Sequence, residues 1–325
     1  MPKKKSQLVA SHYPLVALFR EYWYVFVALT LPFIPLYFYV LKDLPSPTSL
    51  RSGSFPVSTQ IFDRNGRLLY VIYTDQNRTP IQLSDLPAYV AKATIAIEDK
   101  HFYRHHGVAP EGILRATINT LFKRKLQGGS TITQQLVKTA LLTPERTLQR
   151  KVREALLAIA TDFIYSKDQI LEMYLNFSPY GGTAYGLESA AQTYFDKPAR
   201  DLNLAEAALL AGLPQAPTRN SPLGSSPENA KSRQKEVLRR MVEDGYITDQ
   251  ERQQAETQTL NFATAKIDIK APHFVFYVKD LLIEKYGLRT VEQGGLRVTT
   301  SLDLDLQTYA QVSLSAQIAP LKSLR

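Results

Sequence analysis

Two short blocks of sequence, residues 98–107 (EDKHFYRHHG) and residues 128–138 (GGSTITQQLVK), decide how this chain is interpreted. The first block places two carboxylates before a run of aromatic and histidine residues. The second places hydroxyl, amide and ammonium groups behind a glycine pair. A group-transfer site needs an acid or base that moves a proton and donors that hold an anion, so we ask whether the two blocks form one site.

Glu98 ends an apolar segment, residues 93–97 (ATIAI), that leads into a loop. A glutamate there can lie at the mouth of a cleft, where apolar neighbours raise its pKa toward the range of a general base or acid. A solvated glutamate at a helix end is the alternative. His101 and His105 are four residues apart, a spacing that suits a metal site, but no HExxH pattern is present. A packed, hydrogen-bonded His105 is therefore favoured.

The second block is typical of the capped start of an amphipathic helix. Gly128 and Gly129 allow close backbone approach, and Ser130 is the predicted N-cap of a helix over Ser130 to Leu142. The polar residues predicted to project from one side of this helix are Gln134, Gln135 and Lys138. A helix N-terminus with a glycine-rich entry and a nearby cation can hold an anion such as a phosphate. A plain amphipathic helix is the alternative.

A basic stretch follows at residues 144–154 (PERTLQRKVRE). Glu154 lies four residues after Arg150 and three after Lys151, so all three side chains can meet on one helix face. An exposed, salt-bridged helix face is the simpler interpretation. A phosphate-binding patch with a carboxylate at its edge is the more specific one. The stretch lacks the interleaved aromatic residues that a nucleic-acid site would use, so no nucleic-acid partner is expected.

Composition limits the alternatives. A chain of 325 residues with 44% hydrophobic and 21% charged residues is globular, and the absence of cysteine excludes disulfides and cysteine chemistry.

Tyr22 to Leu41 is uncharged over twenty residues, enough to cross a hydrocarbon core of ~30 Å, and predicts a transmembrane helix. Lysines 3–5 and Arg20 precede it, which predicts a cytoplasmic N-terminus and an extracytoplasmic remainder. A cleaved signal peptide is the less favoured alternative.

The rest of the chain divides by pattern. Residues 45–54 predict a tether, and Thr59 to Tyr73 predicts a β-hairpin. Apolar spacing between residues 85 and 250 predicts an all-α domain, and a strand pattern recurs at residues 294–302. The predicted helices are 90–98, 110–122, 130–142, 148–165, 167–175, 186–194, 204–211 and 227–244. The predicted divisions are 1–21 (cytoplasmic), 22–41 (transmembrane), 42–74 (tether and hairpin), 75–250 (main domain) and 251–325 (C-terminal region).

In this order the blocks resemble the glycosyltransferase family 51 domain of class A penicillin-binding proteins and monofunctional peptidoglycan glycosyltransferases. The resemblance covers roughly residues 75–250. The pattern E-D-x-x-F-x-x-H-x-G is matched by Glu98, Asp99, Phe102, His105 and Gly107. The pattern G-G-S-T-I-T-Q-Q is complete at residues 128–135, R-K-x-x-E is complete at residues 150–154, and a further block ends at Asn176. The last, arginine-containing block is partial, at Arg233 with Val237 and Leu238.

The resemblance implies a mainly α, lysozyme-like multi-helix domain with an N-terminal transmembrane helix and a small mixed α/β C-terminal linker. It implies a single-pass enzyme of the bacterial plasma membrane that polymerises lipid II and releases undecaprenyl pyrophosphate with inversion. Glu98 would be the general base and Glu154 a second carboxylate that orients basic residues or a metal. Substrate-binding residues would be Asp99, Ser130, Thr131, Gln134, Gln135, Lys138, Arg146, Arg150 and Lys151. Mg²⁺ or Mn²⁺ would neutralise the diphosphate. Partners would be lipid II, the growing glycan chain, membrane lipid and other cell-wall synthesis and division proteins.

Two departures from the family pattern qualify this interpretation. Residues 177–180 (FSPY) differ from the usual residues of a variable loop. The transpeptidase motifs of class A proteins are also missing, because Ser232 and Lys235 fit S-x-x-K without either companion motif. The C-terminal region is therefore interpreted as a linker remnant, natural or truncated. A lysozyme-like hydrolase and an inactive membrane-anchored scaffold are the alternative functions.

Overall fold

The computed structural model describes residues 22–25, 27, 31, 37–51, 56–73, 76–109, 129–143, 145, 147–224, 226–263 and 269–322. The N-terminal residues 1–21, the predicted helix 110–122, Gly128 and Arg146 lie outside the described residues, as does part of the predicted span 22–41. Within the described ranges, no helix is both long and apolar enough to cross a membrane. The predicted transmembrane helix is therefore not confirmed.

Helices dominate the described part of the chain, as the sequence predicts. The described helices of the main domain are α1 (Ala88–Glu98), α2 (Ile132–Leu141), α3 (Leu148–Ile164), α4 (Lys167–Phe177), α5 (Leu187–Phe195), α6 (Leu204–Ala211), α7 (Pro227–Glu243) and α8 (Asp249–Thr257). Each predicted helix in the described ranges begins and ends within two residues of its predicted bounds. The mainly α fold class is thus confirmed, whereas the finer expectation of a lysozyme-like fold stays a prediction.

Capping residues explain where two of these helices begin. Ser166 caps α4 as predicted, and its hydroxyl and the Gln169 side chain form a reciprocal capping box. The predicted cap Ser130 is wrong by one residue, because Thr131 accepts the Gln134 backbone N–H and caps α2. The Ser130 hydroxyl instead accepts a hydrogen bond from Lys151. Both helix starts are therefore encoded locally.

Helix α1 lies between two hydrophobic clusters. One contains Phe102 together with apolar residues of α2 and α4, including Ile132, Leu136 and Leu171. The other is rich in alanine and joins α1 to α6 and α7. Each fully buried Leu, Ile or Phe side chain contributes ~1.5–3 kcal/mol to folding. This packing on both sides fixes the C-terminal end of α1, where Glu98 lies.

A small three-stranded sheet joins a segment that precedes the main domain to one that follows it. Strands β1 (Thr59–Phe62) and β2 (Leu68–Ile72) form the predicted antiparallel hairpin. Two further short strands, β3 (Pro179–Gly181) and β4 (Ala184–Tyr185), follow α4. The described helices that follow α8 are α9 (Pro272–Tyr286), α10 (Leu288–Gln293) and α11 (Leu304–Lys322). Strand β5 (Arg297–Thr299) precedes α11 and pairs with β1 in parallel. One sheet therefore draws strands from the predicted regions 42–74 and 251–325, whose boundaries stay predictions.

Candidate active site

Glu98 is the last residue of α1, and its two carboxylate oxygens have different surroundings. Oε2 accepts a 2.6 Å hydrogen bond from Nε2 of Gln135 on α2. Oε1 is buried and has no hydrogen-bond partner among the described residues. Burial raises the pKa of Glu98. The hydrogen bond from Gln135 and the positive charges of Arg233 and Arg240 act in the opposite direction and are smaller. Glu98 therefore combines a raised pKa with one oxygen that no described residue binds, as a general base or acid requires.

Two tyrosines that the site predictions did not include lie close to Glu98. Tyr174 on α4 and Tyr180 on β3 are each only 1% exposed. Burial raises the pKa of both phenols, and the charge of Glu98 raises it further. The hydroxyl of Tyr174 donates to Oε1 of Gln135 at 3.4 Å. Both phenols thus stay protonated beside the Glu98 carboxylate.

Arg233 on α7 faces the same carboxylate. The Nε of Arg233 is buried without a hydrogen-bond partner in the described residues. Burial lowers the pKa of the Arg233 guanidinium, and the negative charge of Glu98 opposes that shift. A β-carbon at Gly212 would lie 2.6 Å from Cγ of Arg233, so the glycine makes room for this side chain. The partial arginine block was the only sequence signal for Arg233, and it was too weak to predict a site residue.

Asp99 occupies the helix N-terminus at which the sequence predicts an external anion. Its carboxylate accepts hydrogen bonds from Nε2 of His105 at 2.9 Å and 3.1 Å, and from the backbone N–H of Ile132 at 3.0 Å. An internal carboxylate therefore already satisfies the first N–H of α2. His105 is packed and hydrogen-bonded as favoured, and no group of three or more metal-ligating side chains occurs in the described ranges.

Thr131 and Gln134 complete this helix start. The Thr131 hydroxyl donates to the carbonyl oxygen of Gly107 at 2.6 Å, and its backbone N–H donates to Oε1 of Gln134 at 3.0 Å. Gln134 is only 1% exposed, so the prediction that it projects beside Gln135 and Lys138 is wrong. Gly107 has a φ of +75°, and a β-carbon there would lie 2.3 Å from the carbonyl oxygen of Ala158. Only glycine fits where this loop crosses α3.

Glu154 on α3 is buried against the cation pair, which we define as Arg150 and Lys151. Arg150 donates to Oε2 of Glu154 at 2.8 Å, and Nζ of Lys151 donates to Oε1. Lys151 also donates to the Ser130 hydroxyl at 2.8 Å. Because Glu154 is only 1% exposed, a wholly exposed salt-bridged face does not describe this stretch. The second block and the basic stretch therefore meet through the Lys151–Ser130 bond.

The remaining predicted residues have structural or peripheral positions. Phe102 is fully buried, with Nζ of Lys167 lying 4.9 Å from its ring centroid. The Asn176 side chain pairs with both the N–H and the carbonyl of Ile81 at 2.9 Å and 2.8 Å, which fixes the segment before α1. Lys138 is exposed in the last turn of α2. The substrate-binding roles assigned to Asp99, Ser130, Thr131, Gln134, Gln135, Lys138, Arg146, Arg150 and Lys151 stay predictions.

Comparison with known proteins agrees with these motifs. The model of the Transglycosylase family matches residues 65–242, more than half of the chain. Penicillin-binding protein 1A of Aquifex aeolicus is 42% identical over 291 residues, which cover 89% of this chain and 39% of that protein. Penicillin-binding protein 1A of Escherichia coli is 40% identical over 279 residues, which cover 85% of this chain and 32% of that protein. The chain thus spans well under half the length of these relatives.

A crystal structure of penicillin-binding protein 1A from Haemophilus influenzae overlaps 79% of this chain with 28% of its own. The sequence identity is 25% and the TM-score is 0.43, too low for the overlap to define the fold. The family match does not depend on it. The chain belongs to the transglycosylase family, glycosyltransferase family 51, whose members are peptidoglycan glycosyltransferases.

Proposed function

We propose that this chain polymerises lipid II into glycan strands by inverting transfer and releases undecaprenyl pyrophosphate. The observation that carries the proposal is the presence of both a Glu98 whose buried Oε1 has no hydrogen-bond partner in the described residues and a cation pair held by Glu154. A base and an anion-binding site are the two requirements for displacing a diphosphate by a sugar hydroxyl. The family match and the motif order support the same reaction.

The chemistry follows from these two groups. Oε1 of Glu98 takes the proton of the acceptor hydroxyl as that oxygen bonds to the anomeric carbon of the donor sugar. The bond from this carbon to the diphosphate oxygen breaks, and its electron pair stays on the diphosphate. Arg150 and Lys151 stabilise the developing negative charge through charge-assisted hydrogen bonds. Attack opposite the leaving group inverts the anomeric centre.

The cation pair also separates this proposal from a lysozyme-like hydrolase. A hydrolase cleaves a bond between neutral sugars, and its glutamate protonates the leaving oxygen. A diphosphate is already a stable anion and needs cations instead of a proton. Two cations fixed by a buried carboxylate suit the anionic leaving group. An inactive scaffold would have no need to bury one oxygen of Glu98 without a hydrogen-bond partner in the described part of the chain.

A requirement for Mg²⁺ or Mn²⁺ remains a prediction. Both oxygens of Glu154 are bound by Arg150 and Lys151, and the described residues offer no cluster of three ligating side chains. The described residues therefore do not fit a dedicated metal site. A magnesium ion would instead be held mainly by substrate phosphate oxygens and water.

We further propose that the protein lies against the bacterial plasma membrane, anchored through Tyr22 to Leu41. Helix α3 supports this with five exposed apolar side chains within roughly 80° of its circumference. We call these residues the outer stripe: Leu148 (77% exposed), Val152 (38%), Leu156 (38%), Ile159 (37%) and Phe163 (78%). The opposite face of α3 is buried in the protein. A water-exposed helix normally carries polar residues at such positions, so the outer stripe suits a lipid surface.

The end of the predicted anchor is bound to this same helix. Arg153 donates to the carbonyl oxygens of Val40 and Lys42 at 2.7 Å and 2.8 Å. A chain that leaves the membrane at residue 42 would therefore hold α3 beside the lipid surface. The cation pair on α3 would then lie near the level of the lipid headgroups, where the diphosphate of lipid II is found. Other cell-wall synthesis and division proteins remain proposed partners.

The direct test is incubation of the detergent-solubilised chain with labelled lipid II and Mg²⁺. The proposal expects a polymer that lysozyme digests, with undecaprenyl pyrophosphate released in step with each bond. A folded protein that releases sugar fragments from preformed glycan, and makes no polymer, would favour the hydrolase. A folded protein without either activity would favour the scaffold.

A further inference from the structure

The side chain of Gln135 lies between Glu98 and Tyr174. Its Nε2 donates to Oε2 of Glu98 at 2.6 Å, while its Oε1 accepts from the Tyr174 hydroxyl at 3.4 Å. Gln135 is half-buried in the packed contact between α2 and α4, and Tyr174 is among the largest fully buried side chains. Three side chains from three helices therefore form one line of hydrogen bonds that ends at the proposed base.

The order of donors in this line follows from the chemistry of the groups. An ionised carboxylate only accepts hydrogen bonds, so it must face the NH₂ end of the Gln135 amide. The oxygen end then faces Tyr174, whose hydroxyl is able to donate. If the amide turned over, its oxygen would face the carboxylate and lose the bond to Glu98. A donor at Tyr174 therefore selects the one amide orientation that binds Oε2.

We infer that Tyr174 is a positioning residue which, through Gln135, keeps Oε2 of Glu98 bound and leaves Oε1 as the atom that takes the proton. Tyr174 touches neither substrate nor the reacting atoms in this account. Its hydroxyl restricts the rotation of the Glu98 carboxylate, because rotation would break the bond from Gln135. The inference deepens the proposed function and rests on it for the identity of the reaction.

A merely structural tyrosine is the competing account, and a matched control separates the two. Tyr174→Phe keeps the buried ring and removes only the hydroxyl. Tyr165 is also buried, at 8% exposure, and its hydroxyl donates to backbone carbonyls of Pro47 and Thr48 at 3.3 Å and 3.4 Å. Tyr165→Phe thus removes a buried hydroxyl with hydrogen bonds of similar length, away from Glu98.

The experiment measures lipid II polymerisation against pH for the full chain in wild type, Tyr174→Phe and Tyr165→Phe. We expect kcat of Tyr174→Phe to fall ~10-fold and KM to change little. This loss is smaller than the roughly 10²–10⁴-fold rate contribution of a general base, because the base itself is still present. We also expect the acidic limb of its pH profile to move to higher pH, because the carboxylate loses a fixed donor. Tyr165→Phe should keep both kcat and the position of the limb. Equal effects of the two variants, or an unmoved limb in Tyr174→Phe, would overturn the inference.

A double-mutant cycle tests whether Tyr174 acts through Gln135. If it does, Tyr174→Phe should add almost nothing to Gln135→Ala, whereas independent effects would multiply and contradict the inference. Thermal unfolding of each variant checks that it is folded at the assay temperature.

A readout without lipid II separates this inference from the proposed function. Difference infrared spectra against Glu98→Gln follow the titration of the Glu98 carboxyl itself. The inference expects its midpoint to rise in Tyr174→Phe and to stay in place in Tyr165→Phe. An unmoved midpoint in Tyr174→Phe would refute the positioning role alone. Absence of polymer from the folded wild type would refute the proposed function alone.

Discussion

Glu98 and Glu154 are both glutamates with buried carboxylate oxygens, yet their surroundings differ in every respect that matters for chemistry. Among the described residues, Glu98 has one neutral amide partner and one unbound oxygen. Arg233 and Arg240 act on it as nearby positive charges. Glu154 has a cation on each oxygen. An unbound oxygen can take a proton, whereas an oxygen already held by a cation serves to hold that cation. The surroundings, and not the residue type, separate the proposed base from the residue that organises the anion site.

The largest effect should come from Glu98→Gln, which keeps the shape of the side chain and removes its basicity. We expect kcat for lipid II polymerisation to fall by roughly 10²–10⁴ while KM changes little. The measurement is a steady-state assay of polymer formation with labelled lipid II. A variant with near wild-type turnover would remove the distinction between the two glutamates.

Glu154→Gln should instead act on binding and on stability. The variant leaves Arg150 and Lys151 without their shared carboxylate, so we expect KM for lipid II to rise ~10-fold, reflecting one disturbed charge-assisted contact. Unfolding free energy should fall by about 1–2 kcal/mol, a low value because Lys151 is 45% exposed and its ion pair is screened. Urea denaturation gives the stability. A loss confined to kcat would show that Glu154 takes part in proton transfer.

The two Glu→Gln substitutions should also have opposite effects on stability near neutral pH. Burial raises the pKa of Glu98, so the folded protein binds that proton more tightly than the unfolded chain does. The stability from this group is present at low pH and is lost as pH rises through the raised pKa. Glu98→Gln should therefore raise the melting temperature at pH 8, with the gain shrinking as pH falls. Calorimetry at several pH values tests this, and a gain that grows toward acid pH would contradict it.

The smallest effect concerns the outer stripe, and the absence of cysteine makes it accessible to site-specific labelling. Leu156→Cys, labelled with an environment-sensitive dye in the full chain, should show a blue-shifted emission in vesicles and quenching by brominated lipids. Leu306→Cys is the matched control, since Leu306 is 66% exposed on α11. Equal quenching at the two positions would show that the outer stripe has no special contact with lipid.

The sequence predicts the helical part of the fold well because its signals are local. Apolar spacing and capping residues define each helix from neighbours three or four positions away, and Ser166 is one such case. The pairing of β5 with β1 joins residues more than two hundred positions apart and had no local signal. The cap of α2 was misplaced although the signal for it is also local. Gln134 follows Thr131 by three residues and completes a capping box with it, whereas Ser130 has Thr133 at that position.

The candidate site was predictable in its residue types but not in its bonds. The motifs named Glu98, Gln135 and Glu154, yet they gave no sign that Gln135 binds Glu98. Gln134 and Gln135 are adjacent and chemically identical, yet the capping box at Thr131 holds the first, which is buried, while the second reaches Glu98. Tyr174 had no sequence signal that separated it from a core residue, because a buried tyrosine usually belongs to the core.

The most direct test of the different roles of Glu98 and Glu154 is the pH profile of kcat/KM for wild type and Glu154→Gln. If Glu98 is the base, both proteins will lose activity through the same acidic limb, and Glu154→Gln will be lower by a constant factor at every pH. If the limb disappears in Glu154→Gln, the titrating base is Glu154, and the role assigned to Glu98 is wrong.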